Sequence, residues 1–386
     1  MLSAPLQRKL AKLRANHLLR KISTHNDKQI LIPFCSNDYL SITKHPDVIK
    51  AYKQSADKHG LGSGSSAQIA GYSDAHHLLE ETFADFLRRD KAILFNSGYH
   101  ANLGVITALA DRSSLILADK QCHASIIDGI LLSRATLKRF HHNQPQHAAY
   151  LLQNAAPAHH STRDIFFITE SVFSAHGDIA NIKQLAITAK TNHATLIVDD
   201  AHGIGVLGKN GAGIIEEQNL SQQDVPCLIT PLGKAIGSTG AIVSGSADLI
   251  DALLQLARTH RYSTALPPAV CMATCAAIRI ISQETWRRAK LKHLISYFML
   301  AATERNLPLT AKDLTPIKSI AMRSNKMAAD LYDTLYQCGF HVACIRPPSV
   351  PAEAPCLRIS LNCDHEEEQV TCLLDYIKEA IDDYPH

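Results

Sequence analysis

The stretch CLITPLGKAIGSTGAIV, residues 227–243, sets Lys234 between two short apolar runs, Cys227 to Ile229 and Ala241 to Val243. A lysine at its ordinary pKa of roughly 10.4 is protonated at neutral pH and cannot attack a carbonyl. Burial in a turn hemmed in by backbone disfavours the ammonium form, and a lysine so treated can form a Schiff base with a carbonyl compound. A loop lysine that lays its stem on apolar surface and sends its amine to water is the other reading, and this stretch alone leaves both open.

Other polar clusters narrow the choice. In LIVDDAHG, Asp199 and Asp200 end an apolar run, where one carboxylate must turn inward, and His202 follows. A satisfied strand-end acid accounts for one aspartate. A buried carboxylate 35 residues ahead of a lysine, each at the end of a strand, is what a protonated pyridine nitrogen requires. FNSGYHAN places Ser97, Gly98 and Tyr99 between a strand and a helix start, where backbone N–H groups and the helix dipole favour phosphate. Many βα turns contain glycine, so this signal is weak by itself. His123 begins a helix after LILADKQC, at the same rim as Asp199 and Lys234, which favours stacking on a ring over a solvated N-terminal histidine. Gly203, Gly205 and Gly208 spell G-x-G-x-x-G after a strand, but a dinucleotide fingerprint opens a helix, and the further glycines of LGKNGAG oppose one.

The elements that carry these residues alternate. Helices are expected from about Asp47 to His59, His76 to Leu87, Tyr99 to Ala110, His123 to Ser133 and Ile182 to Thr191, with strands at KAILF, SLILAD, IFFITE and TLIVDD. Such alternation means an α/β chain with a mostly parallel sheet covered on both faces, and ligands gather at the carboxyl ends of its strands. The clusters at 96–99, 119–123, 170–174, 199–202 and 230–234 all fall there. The glycine- and serine-rich loop GLGSGSSAQIAGYS, residues 60–73, allows backbone to approach a ligand closely. Three regions are expected: an N-terminal helix and arm over 1–45, a large domain over 46–280, and a smaller α+β domain over 281–386 with strands IKSIAMR, FHVACI and CLRISL.

Composition excludes other classes. The 386 residues are 46% apolar and 19% charged, which supports a sizeable core. No run of about 18 apolar residues could span a membrane. A net charge of +3, with no basic patch interleaved with aromatics, argues against nucleic acid. Ten cysteines without a C-x-x-C pair give neither a disulfide framework nor a metal site and suggest a reducing, cytoplasmic compartment. The acid-free first 26 residues lack the serine richness of a transit peptide.

Taken in order, GLGSGSSAQIAGYS, NSGYHAN, DKQCHASIIDG, TESVFSAHGDIA, VDDAHGIGVLG, PLGKAIGSTGA, RYSTALPP and IRPPSVP resemble the α-oxoamine synthases over about residues 16 to 380. The resemblance implies a homodimer of the pyridoxal phosphate (PLP) transferase fold type I, with active sites at the subunit interface. It implies that Lys234 holds the PLP, Asp199 pairs with the pyridine nitrogen, His202 contacts the ring oxygen and His123 stacks on the ring. Gly98 and Tyr99 would bind phosphate, Ser174 would line the site, and Ser263 and Thr264 would reach the phosphate from the second subunit. Arg20, Asn37, Ser349 and Arg358 would face substrate, the planar fork of Arg358 suiting a carboxylate. GYS at 71–73 and IRPPSVP at 345–351 favour the member that condenses L-alanine with a pimeloyl thioester of CoA or an acyl carrier protein. Three positions depart from the family. Pro231 stands where threonine usually binds phosphate, with Thr230 the expected substitute; Gln68 replaces arginine or histidine; and Ser41 replaces a glycine.

Overall fold

The computed structural model describes residues 3–16, 18–19, 31–154, 164–347, 350–351 and 354–384. In chain order the strands are β1 Ile32–Pro33, β2 Lys91–Phe95, β3 Leu115–Asp119, β4 Thr136–Phe140, β5 Ile165–Glu170 and β6 Thr195–Asp199. They continue with β7 Cys227–Pro231, β8 Ala241–Gly245, β9 Ile317–Ala321, β10 Phe340–His341, β11 Ala343–Ile345 and β12 Cys356–Ser360. The described residues divide into a larger unit, within 40–173 and 179–288, and a smaller one, within 1–39, 174–178 and 289–386. The expected boundary near 280 thus falls eight residues later, after Arg288, and the N-terminal arm groups with the C-terminal part rather than standing apart.

The larger unit is built on a seven-stranded sheet in the order β2-β8-β7-β6-β5-β3-β4. β8 runs antiparallel to β2 and β7, and every other neighbouring pair is parallel. β3, β7 and β8 are buried at every residue, and β5 and β6 at all but the first. That is why their sequences read as continuous branched apolar runs rather than alternating ones. Helices Asp74–Leu87, Gly98–Leu109, Ala124–Ser133, Ile182–Thr191 and Ala247–Leu256 connect or cover them. Phe95, Ile116, Ile168, Ile197, Ile229 and Val243 pack with Val105, Ile126 and Ile130 in one core. The carboxyl ends of β2, β3, β5, β6 and β7 therefore lie along one edge, at Phe95, Asp119, Glu170, Asp199 and Pro231.

Two elements escape the sequence pattern. β4, with the sequence TLKRF, occupies the sheet edge beside β3, where its exposed charged residues carry no apolar signature. Ala67–Gly71 forms a π-helical turn within the glycine- and serine-rich loop 60–73. In the smaller unit, β11, β12 and β9 form an antiparallel sheet in that order, and β1 pairs parallel with β10. Helices Asn325–Gln337 and Glu367–Asp382 bury Leu331, Leu335, Leu373 and Ile377.

Candidate active site

Asp199 ends β6 with 5% of its surface exposed. Its Oδ1 accepts the Ala201 N–H at 3.0 Å and its Oδ2 accepts Asn102 Nδ2 at 2.7 Å. Asn102 lies in helix Gly98–Leu109 and is 1% exposed. The same Nδ2 donates to the Ser125 hydroxyl at 2.9 Å, and Ser125 Oγ lies 2.8 Å from Nδ1 of His123. His123 caps helix Ala124–Ser133, its Nδ1 accepting the Ser125 N–H at 3.3 Å. Burial holds the imidazole below its ordinary pKa; Asp199 pulls the other way, and Lys234 adds to the lowering. Asp199 and Lys234, proposed from sequence at separate strand ends, thus both act on the His123 ring. Asn102 and Ser125 stood inside the quoted motifs without an assigned role.

Neighbouring Asp200 is also fully buried, so both aspartates of the pair turn away from water. Strand alternation sends it to the other side, where its Oδ2 accepts the Ile214 N–H at 3.1 Å. Burial raises its carboxyl pKa to about 7. A Cβ on Gly203 would fall 2.0 Å from one Asp200 oxygen, and a Cβ on Gly213 1.9 Å from the other. These glycines let the 201–213 loop close on a carboxyl group. No helix follows until Ile214–Glu217, so the G-x-G-x-x-G run does not open one. His202 sits in this loop and is 4% exposed.

Lys234 is half-buried in the turn that joins β7 to β8. Leu232 N donates to the Gly240 carbonyl and Ser238 N to the Leu232 carbonyl, both at 3.0 Å, and Gly237 N reaches the Lys234 carbonyl at 2.8 Å. At the foot of the turn, Pro231 ends β7 and packs on Gly98, where a Cβ would meet Pro231 Cγ at 2.7 Å. Alternation turns Thr230 to the opposite face of the sheet. Its side chain is fully buried, and its hydroxyl has no hydrogen-bond partner. Pro231 thus meets the Gly98 turn, while Thr230, the expected phosphate contact, lies buried one residue before it on the other face of β7. At that turn Ser97 Oγ accepts the His100 N–H at 3.2 Å, and the Tyr99 hydroxyl bonds Asp128.

The remaining candidates divide between the units. In the larger one, Ser263 is half-buried and Thr264 exposed; Thr264 forms a bridge with Ser66, and its carbonyl accepts Asn96 Nδ2 at 2.7 Å. Gln68 bonds the Leu254 carbonyl and Nε of Arg261, tying the π-helical turn to the chain after helix Ala247–Leu256. Ser41 adopts a left-handed φ of 53°, a conformation that glycine enters freely. In the smaller unit, Arg358 lies in β12 with Nη2 donating to Asn37 Oδ1 at 3.0 Å and reaching the Tyr39 hydroxyl at 3.5 Å. Its Nε is buried with no partner. Burial pushes the Tyr39 hydroxyl up to about 12. Ser174 is half-buried in a segment held where Ser319 Oγ donates to the Ala175 carbonyl and Thr315 Oγ1 to that of Gly177, each at 2.6 Å. Arg20 and Ser349 lie outside the described residues.

The donor set of the larger unit fits PLP. A buried carboxylate with two hydrogen bonds keeps acceptor capacity for a pyridinium N–H, since two ionised oxygens offer about four lone-pair sites. The start of helix Gly98–Leu109 offers N–H groups to a phosphate. His123 supplies a flat ring, and Lys234 an amine on a turn fixed by its own backbone.

Comparison with known proteins places this geometry. The family model Aminotransferase class I and II matches residues 29–377. A curated relative from Saccharophagus degradans, named 8-amino-7-oxononanoate synthase, is 43% identical over 94% of this chain and 89% of its own. One of the same name from Pseudomonas fluorescens is 40% identical over 98% of this chain and 97% of its own. Among solved structures, a serine palmitoyltransferase of S. paucimobilis with PLP and myriocin bound superposes with a TM-score of 0.90 at 26% identity. That match covers 98% of this chain and 96% of the other. An 8-amino-7-oxononanoate synthase from Francisella tularensis gives 0.80 at 34% identity, covering 91% and 98%.

Proposed function

Because the chain belongs to the class I and II aminotransferase family and has the PLP-dependent fold type I, we propose that it condenses L-alanine with a pimeloyl thioester. The products are 8-amino-7-oxononanoate, CO₂ and the free thiol of the carrier, CoA or an acyl carrier protein, as a step of biotin biosynthesis. The observation that carries the reading is the hydrogen-bond run from Asp199 through Asn102 and Ser125 to His123 in a chain that aligns along nearly its whole length with curated synthases of that name.

PLP supplies an electron sink for the carbanion formed at the amino acid's α-carbon. Lys234 would hold the cofactor, and its Nζ, once free, would be the base that takes the α-proton. Asp199 keeps the pyridine nitrogen protonated, and Asn102 and the Ala201 N–H hold its two oxygens in place. His123 would cover the ring, His202 would meet the ring oxygen, and Gly98 and Tyr99 would hold the phosphate at the helix start. Arg358, steadied by Asn37, receives the alanine carboxylate. Ser174 would line the cofactor site, and Arg20 and Ser349 would face substrate. Ser263 and Thr264 serve the site of a second copy in a homodimer; exposed Leu61, Ile69 and Tyr262 lie in or beside the two loops involved. All ten cysteines are free, which suits a reducing cytoplasm, and no helix among the described residues is long and apolar enough to cross a membrane.

The test is direct. Borohydride should fix PLP on Lys234, and release of CO₂ should require alanine and pimeloyl thioester together. A Lys234→Ala protein that still condenses them refutes the assignment. Turnover with glycine and a short acyl-CoA, but not with alanine, would move the chain to another member of the family, and no turnover with any pair would make it a scaffold. Sedimentation of the holoprotein as a monomer would remove the homodimer.

A further inference from the structure

Ser125 and Asn102 determine which nitrogen of His123 carries the proton. The backbone N–H of Ser125 points at His123 Nδ1 from 3.3 Å, and an amide N–H can only donate, so Nδ1 must present a lone pair. The Ser125 hydroxyl lies 2.8 Å from the same nitrogen. An ionised carboxylate can only accept, so the NH₂ side of the Asn102 amide is the one that faces Asp199, at 2.7 Å. The second hydrogen of that NH₂ goes to Ser125 Oγ at 2.9 Å. The Ser125 hydroxyl, already accepting from Asn102, turns its own proton to His123. Two donors thus converge on Nδ1. A proton added there would meet the Ser125 N–H, which cannot turn away as a hydroxyl can, and the part-buried Nδ1 would lose both donors that hold it.

We propose that Asn102 and Ser125 are positioning residues that hold His123 as the neutral imidazole with its proton on Nε2, so that its free edge donates a hydrogen bond rather than accepting one. The charged groups that act on the ring are Asp199 and Asp128, which favour the cation, and Lys234, which opposes it together with burial. Asp199 is itself engaged by Asn102, so one amide steadies both the carboxylate that serves the cofactor and the imidazole that covers it. The catalytic consequence rests on the proposed condensation, in which an N–H donor can polarise the incoming thioester carbonyl; the tautomer does not depend on it.

Two-bond ¹H–¹⁵N correlation spectra of ¹⁵N-histidine-labelled apoprotein test the tautomer directly, with the His123 signals identified by their loss in His123→Asn. A pyridine-type Nδ1, a pyrrole-type Nε2 and a titration midpoint below the ordinary value of about 6.5 are expected. Ser125→Ala should mix the tautomers, raise the midpoint and lower kcat about tenfold with the alanine KM little changed, and Ser125→Thr should restore all three. A protonated Nδ1 in the unaltered protein overturns the proposal, and needs no variant to fold. So does a Ser125→Ala spectrum identical to that of the parent. An apoprotein with the expected spectrum whose holoenzyme turns over no alanine keeps the tautomer and defeats the assigned reaction instead.

Discussion

Gly98→Ala isolates the contact between Pro231 and the helix start proposed to hold the phosphate. The added methyl would lie 2.7 Å from Pro231 Cγ and 3.0 Å from its Cβ. Carbon atoms in contact rest about 3.5–4.0 Å apart, so something must move by roughly an ångström. Pro231 cannot rotate away, because its ring is closed on its own backbone at the end of a strand paired with β8. The start of helix Gly98–Leu109 has to lift instead, carrying its N–H groups with it. Overpacking of this size costs about 1–3 kcal/mol, which as a binding loss is roughly five- to 150-fold in PLP affinity. Without the clash the sign reverses, since alanine is the better helix former by up to about 1 kcal/mol. Urea unfolding of apoprotein and PLP titration by absorbance should be run on Gly98→Ala, Pro231→Ala and the double variant. Pro231→Ala removes Cγ, so Gly98→Ala should cost at least about 1 kcal/mol less in that background. Equal costs in the two backgrounds, or a stabilised single variant, would refute the reasoning.

Other perturbations have equally definite outcomes. Arg358→Lys keeps the charge but loses the fork, so the alanine KM should rise at least about tenfold with a smaller change in kcat, and Asn37→Ala should move KM the same way by less. Ser41→Gly relieves a left-handed φ of 53° and should stabilise the apoprotein by about 1 kcal/mol in urea melts. Asp200 has its pKa raised to about 7, so the native chain keeps a proton that the unfolded chain releases above about 4. Its contribution to stability is therefore full below about pH 4 and lost as pH rises through 7, and Asp200→Asn should flatten the pH dependence across that window. In the smaller unit, burial lowers His365 to about 4; its contribution is full above about 6.5 and lost as pH falls through 4, and His365→Leu should flatten that opposite slope.

The sequence made the sheet legible because buried strands must be apolar on both faces, and LILAD, IFFITE and TLIVD have no other good use. It made the rim legible for the same reason: a polar residue that ends such a run must face something. β4 was not legible, since an edge strand needs no apolar signature on its exposed face. Asn102 and Ser125 were invisible for a different reason. A buried amide and a hydroxyl on two helices have meaning only once those helices converge on β6, and no spacing along the chain announces that.

The two aspartates of VDD show how one strand end serves two purposes. Alternation sends Asp199 towards Asn102 and Asp200 towards Gly203 and Gly213, so consecutive carboxyl groups fix the two sides of the same rim. The glycine-rich loop that follows is the means by which backbone reaches a buried carboxyl, and it carries His202 between those anchors. A side chain at Gly203 would press on Asp200 and displace His202 without touching Asp199 or Lys234. On the proposed roles of His202 and Lys234, Gly203→Ala should therefore shift the absorbance of bound PLP while borohydride still fixes it on Lys234. The first glycine of the G-x-G-x-x-G spelling is thus explained by the acid that precedes it, and the turn that carries Lys234 is seated by a proline packed against a glycine.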